Sequence, residues 1–207
     1  MLASRSDRAT PPAVSTQSRL LSEALERVLA DGTTPVTVLD LGPGHGATAA
    51  FFAELAAERR VSLLFCDCED LCAELAERET PAELAELKAL WQKHIGLEDG
   101  MHIDVLLLWD YLHYLDTATI EALSFVLAPH LTPASRGYGF GNLRPEQKLT
   151  ARRYGLQAAD AVTFSDRDGS RVPFAHSQRT MDTTFACMYL ARCTLLQEGH
   201  LELLFKA

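Results

Sequence analysis

The stretch "TVLDLGPGHGATA", residues 37–49, decides the fold. Val36 to Leu41 is a short valine-rich apolar run and reads as a buried, parallel strand. Gly42, Gly44 and Gly46 follow at every second position. Glycine costs backbone entropy and buries no side chain, so three in five residues mark a place where something comes close to the main chain. Residues 47–60, "ATAAFFAELAAERR", then read as a helix. A strand, a glycine turn and a helix N-terminus together point polar main-chain groups at a ligand, at the carboxyl end of the strand.

The same alternation runs outward. Residues 15–32, "STQSRLLSEALERVLADG", place Leu20, Leu21, Ala24, Leu25, Val28 and Leu29 on one helical face, with Gly32 as the stop. "VSLLFCD" (61–67) is a second strand, and "EDLCAELAERE" (69–79) a helix. At "TPAE" Thr80 caps, Pro81 takes the first helical position and Glu83 completes a capping box for a helix through Ile95. "IDVLLLW" (103–109) is a buried strand, and Asp116 caps a helix over 117–131. "RGYGFGNL" (136–143) is a glycine-weakened strand, residues 144–179 are polar and irregular, and 188–207 form a terminal hairpin. Apolar strands alternating with helices predict an α/β, Rossmann-like open sheet, mostly parallel, with helices on both faces and a C-terminal antiparallel hairpin. No clear strand lies between residues 79 and 98, so the third strand of such a sheet is short or missing.

Residues 1–14 carry Pro11-Pro12 and few apolar groups and read as a disordered N-terminus ahead of one domain over 15–207. The 207 residues carry a net charge of −9, which disfavours nucleic acid and anionic membrane as partners. Five cysteines lack paired metal-site spacing, so no metal is expected. With no secretory or membrane-spanning segment, the chain reads as cytoplasmic with reduced thiols. A homodimer or a protein partner is left open.

The glycine loop formally meets a dinucleotide pattern through Gly42, Gly44 and Ala47. Asp40 argues against a pyrophosphate, because a carboxylate at the strand end repels phosphate and suits a cationic amino-acid moiety. Asp40-Leu41-Gly42-Pro43-Gly44-His45-Gly46 resembles the first motif of class I S-adenosylmethionine (SAM)-dependent methyltransferases. Asp67 stands at the end of the second strand, where such binders hold ribose hydroxyls; capping the next helix is the competing reading. Residues 103–116, "IDVLLLWDYLHYLD", resemble the family's fourth-strand region. That resemblance implies that Trp109 and Asp110 face the methyl donor, and that His113 and Tyr114 lie at the mouth of the substrate site. It also implies an antiparallel strand inserted near the end of the sheet. The adenine contact has only Trp91 and Cys68 as candidates.

Methyl transfer needs alignment of the nucleophile and exclusion of water, with a base only for a protonated nucleophile. His113 is the candidate base and Tyr114 a substrate contact. Residues 144–179 hold seven Arg or Lys against four Asp or Glu. This local excess, with Arg152 and Arg153 foremost, fits a lid over a small anionic substrate or a partner surface. A solvated loop with locally paired charges is the plain alternative. The expected activity is methyl transfer from SAM to a small molecule. A non-catalytic methyltransferase-like binding or regulatory protein is the alternative, and a nicotinamide oxidoreductase is disfavoured by Asp40.

Overall fold

The computed structural model describes residues 14–30, 34–76, 82–142, 149–171, 174, 176–196 and 200–207. Strand β1 (Val14–Gln17) leads into helix α1 (Arg19–Ala24) and the one-turn α2 (Glu26–Leu29). Strand β2 (Val36–Asp40) is followed by α3 (Gly46–Glu58), and β3 (Val61–Phe65) by α4 (Cys68–Ala76) and α5 (Leu84–Ile95). Strand β4 (Val105–Trp109) meets a 3-10 turn (Tyr111–Tyr114) and α6 (Thr117–Leu127). Then come β5 (Arg136–Asn142), β6 (Leu149–Ala158), β7 (Ala161–Arg171), α7 (Gln178–Thr184), β8 (Tyr189–Leu195) and β9 (His200–Lys206).

The main sheet runs β3-β2-β4-β5-β9-β8. Strands β3, β2, β4 and β5 are parallel, and β9 lies antiparallel between β5 and β8. The chain therefore has the expected mostly parallel α/β sheet, with the terminal hairpin inserted in antiparallel sense. Among the described residues no strand separates α4 from α5, so the sheet ends at β3. The central strands explain the continuous apolar runs: Val38, Leu39 and Val105 through Leu108 are fully buried, as strands covered on both faces must be. Tyr138 of β5 meets Ser18 at the start of α1, while its neighbour Gly137, on the opposite face, meets Met188 beyond α7.

Three local expectations change. Residues 15–17, read as the start of a helix, form β1, and the helix starts at Arg19 with Ser18 as its cap. The sequence stretch that looked irregular holds a long antiparallel hairpin, β6–β7, joined by β1 into a second sheet of order β1-β7-β6. β1 pairs Val14 with Phe164, so tertiary pairing overrides the helical pattern there. Helix α5 begins after Glu83, which is itself the N-cap, in a reciprocal box with Glu86. Thr80, Pro81, Gly32 and residues 1–13 of the expected disordered N-terminus lie outside the described residues. Elsewhere the caps are as read: Asp116 accepts from the Thr119 amide at 2.7 Å.

A buried polar knot ties the two sheets. Tyr138 Oη donates to Glu202 Oε1 at 2.7 Å and lies 3.1 Å from Ser18 Oγ, which also donates to Glu202. Ser18 in turn donates its amide to Asp160 O at the β6–β7 turn, at 2.6 Å. Each polar group so buried has a partner, which is the condition for its burial to be tolerated.

Candidate functional site

The carboxyl ends of β2, β3 and β4 meet at the glycine loop. The amide of Leu41 bonds the Leu107 carbonyl, and the Cys66 amide bonds the Asp40 carbonyl, so the sheet holds the loop from both sides. Asp40 is buried. Its Oδ1 accepts from the Gly42 amide at 2.8 Å and from the Trp109 indole N–H at 2.6 Å. Burial pushes the Asp40 carboxyl up to about 6, against the pull of those two donors.

The close approach implied by the first glycine is made by the protein itself. A Cβ on Gly42 would lie 3.0 Å from Asp40 Oδ1 and 3.2 Å from Trp109 Nε1. Gly44 takes the left-handed backbone, φ +71, beside the half-exposed ring of Phe65. A Cβ on Gly46 would meet nothing within 4 Å, so the outer rim of the loop is open.

Strand β6 lies with its edge in the crevice between the loop and the end of β4. The Leu156 amide donates to Thr48 Oγ1 in the first turn of α3 at 3.0 Å. Gly155 passes beneath the His45 ring so closely that a Cβ there would sit 2.3 Å from Nδ1. Tyr154 stacks on Trp109 with ring centroids 5.5 Å apart and planes 6° from parallel, and on Phe140 at 5.0 Å. The Tyr154 and Tyr114 hydroxyls both donate to Asp110 Oδ2 at 3.2 Å. Burial, then the Asp110 carboxylate, raises the Tyr154 phenol well above its usual range. Trp109 itself has φ 48, rare for a bulky residue, at a register shift in the β4–β5 ladder. The contacts of its indole with Asp40 and Tyr154 hold that backbone.

Asp67 accepts from the Glu69 amide at 3.0 Å, which is the helix-capping role, at the end of β3 and beside the loop. Trp91 is fully buried between α5 and α6, its indole donating to the Thr119 carbonyl at 3.0 Å, and Cys68 is buried too; neither forms an open adenine wall. His113 is buried, and neither ring nitrogen has a hydrogen-bond partner among the described residues. Burial, then neighbouring His176, pushes its pKa down to about 4. Phe174 donates its amide to the His113 carbonyl at 2.8 Å.

The two arginines split. Arg152 lies over the Phe164 ring, 4.4 Å from its centroid, and pairs with Asp166 at 3.2 Å. Arg153, next along β6 and so on the opposite face, stands near His45. Burial and then the Arg153 charge lower the His45 pKa. Arg153 Nε is buried with no partner among the described residues. His45, named in the sequence only as a member of the glycine motif, is the N-cap of α3: its Nδ1 accepts from the Ala47 amide at 3.1 Å. Histidine is not among the residues preferred there, so no capping signal marked it.

No protein-family model and no curated protein matches the chain. Solved structures similar to it include an S-adenosylmethionine-dependent methyltransferase from Clostridium acetobutylicum, at 12% identity and TM-score 0.46, with 92% of each chain covered. A glycopeptide N-methyltransferase complexed with SAM is similar at 14% identity and TM-score 0.44, over 95% of this chain and 98% of that one. The Burkholderia thailandensis 1,6-didemethyltoxoflavin-N1-methyltransferase is similar at 16% and 0.42, over 91% and 76%. The fold itself rests on strand order: four parallel strands, then an antiparallel strand inserted before the sheet edge. Among the described residues no helix is long and apolar enough to cross a membrane, and no cluster of three metal-ligating side chains occurs.

Proposed function

We propose that this chain binds SAM along the glycine loop and transfers its methyl group to a small anionic acceptor. The observation that carries the reading is the open rim of the loop. Gly44, Gly46, the half-exposed Phe65 ring and the Asp67 carboxylate lie together at the carboxyl ends of β2 and β3. These residues fit an adenosyl group: Phe65 offers a flat apolar face and Asp67 an acceptor for vicinal hydroxyls. Arg153, with its orphaned Nε beside His45, supplies a cation for a carboxylate at the start of α3.

The methionine half of the ligand fits only after β6 moves, because Tyr154, Gly155 and Trp109 fill the inner crevice. In this reading the β6–β7 hairpin is the lid, and Asp40 and Trp109 set the floor on which the donor lies. SAM supplies the electrophilic methyl group; the chain contributes alignment and exclusion of water. His113 is the proposed proton acceptor. Burial makes it a weak base, so it acts only where the acceptor arrives as its acid form; an acceptor already ionised needs no base. Tyr114 and Arg152 are the proposed acceptor contacts.

The filled crevice favours a second reading, in which the chain keeps the fold as a binding or regulatory protein without turnover. Calorimetry separates the two. SAM and S-adenosylhomocysteine are expected to bind, and NAD and NADP to give no heat. Absence of adenosyl binding refutes both the donor site and the methyl-transfer reading. Adenosyl binding without turnover across a panel of small acids favours the second reading.

A further inference from the structure

Between the second sheet and the β5–β9–β8 half of the main sheet lies a cavity of about 600 Å³. It is lined by Phe140, Tyr154, Val162, Phe164 and Leu195, with Arg152 over the Phe164 ring. Tyr154 divides it from Trp109, so it is a separate space from the glycine-loop crevice. The volume falls within the roughly 300–1,000 Å³ of small-molecule sites.

Three aromatic rings in one wall define a flat apolar slot: Tyr154 stacks on Phe140, and Phe164 tilts against Tyr154 at 6.3 Å. Such walls take planar ligands, because offset stacking adds to simple burial. Charge then sets the ligand's sign. Among the described lining residues there is no carboxylate; Arg152 carries the fixed positive charge, with His200 also in the lining, in a chain of net charge −9. Among the described residues its ion pair is through Nε to Asp166, whose side chain is 58% exposed. A pair so exposed is worth little and exchanges readily for a better anion. The guanidinium already lies on the Phe164 face, which fixes its plane and prepares a two-pronged contact with a carboxylate.

We propose that this cavity is a binding site for a planar aromatic carboxylate, its ring packed among Phe140, Tyr154 and Phe164 and its acid group held by Arg152. It deepens the proposed transfer, in which Arg152 is an acceptor contact, by naming the substrate class; the binding itself needs no methyl donor.

Calorimetry on the full chain with naphthoate, without adenosyl ligand, tests it. One-site binding is expected, with the isosteric naphthamide weaker by about tenfold or more, as charge-assisted pairing requires. Arg152→Gln is expected to erase that preference while leaving naphthamide binding in place. Absence of saturable naphthoate binding overturns the proposal, as does equal affinity for the acid and the amide in the unmodified protein. That last comparison needs no variant to fold, and neither outcome depends on whether SAM binds.

Discussion

At the scale of single residues, two buried titratable groups pull stability in opposite directions with pH. His113 is held near 4, below its ordinary 6.5, so the unfolded chain binds its proton first as pH falls. The stability contributed by keeping it neutral is present above pH 6.5 and is lost as pH falls towards 4. Asp40, raised to about 6 from 3.8, acts the other way: its contribution is present below 3.8 and is lost as pH rises through 6. Between pH 4 and 6 the two trends offset. Replacing His113→Asn removes one of them. The variant is expected to lose less unfolding free energy than the parent between pH 6.5 and 4, by on the order of 3 kcal/mol, read from denaturant midpoints at each pH. Equal acid-side slopes for the two proteins would show that His113 does not titrate as described. The residue scale also shows what the sequence motif alone hides. Asp40 looks like a ligand contact in "DLGPGHG", yet its Oδ1 serves Gly42 and Trp109. That contact joins residues 69 positions apart, and no local pattern announces it.

At the scale of elements, the β4–β5 pair carries the strain of the site. Trp109 turns into the left-handed region where the ladder slips, and Gly139 lies directly against its carbonyl. A Cβ on Gly139 would come within 2.6 Å of that backbone oxygen. Backbone cannot swing aside as a flexible side chain does. Gly139→Ala is therefore expected to cost about 1–3 kcal/mol in chemical denaturation, and to move the near-ultraviolet signal of Trp109. An unchanged midpoint would mean that the two strands separate more easily than their ladder implies. Element by element, the parallel core was legible in the sequence, since β4 is apolar throughout, β2 is mostly so, and the glycine loop follows β2. The β6–β7 hairpin was not. Its strands are rich in Arg, Asp, Ser and Thr, because an outer sheet with one wet face has few apolar positions to show. β1 was masked by the helix that follows it: Ser15 to Gln17 satisfy a helical pattern locally, and only pairing with Ala161 to Thr163 makes them a strand.

At the scale of the whole molecule, the second sheet is held on the first by the Ser18–Tyr138–Glu202 knot at one end and by contacts around one ring at the other. Tyr154 stacks on Trp109 and Phe140 and donates to Asp110. Tyr154→Ala removes all of these at once. Amide exchange is expected to quicken across β6 and β7 while β2 and β4 stay protected, because the central strands keep their own burial. Uniform exchange acceleration across both sheets would instead make the two sheets one cooperative unit. The same variant opens the inner crevice, so tighter SAM binding by Tyr154→Ala is the expected companion result if β6 acts as a lid.

The sequence by itself determined the α/β class, the position of the glycine loop, the early end of the sheet at β3 and the terminal antiparallel hairpin. Each of these follows from short-range signals: apolar runs, glycine spacing, caps and turns. Tertiary structure alone decided what the loop touches. Whether a glycine faces a ligand, an indole or a neighbouring strand depends on which distant segment folds over it. Here that segment is β6, more than a hundred residues away in the chain, with Gly155 beneath His45 and Tyr154 against Trp109.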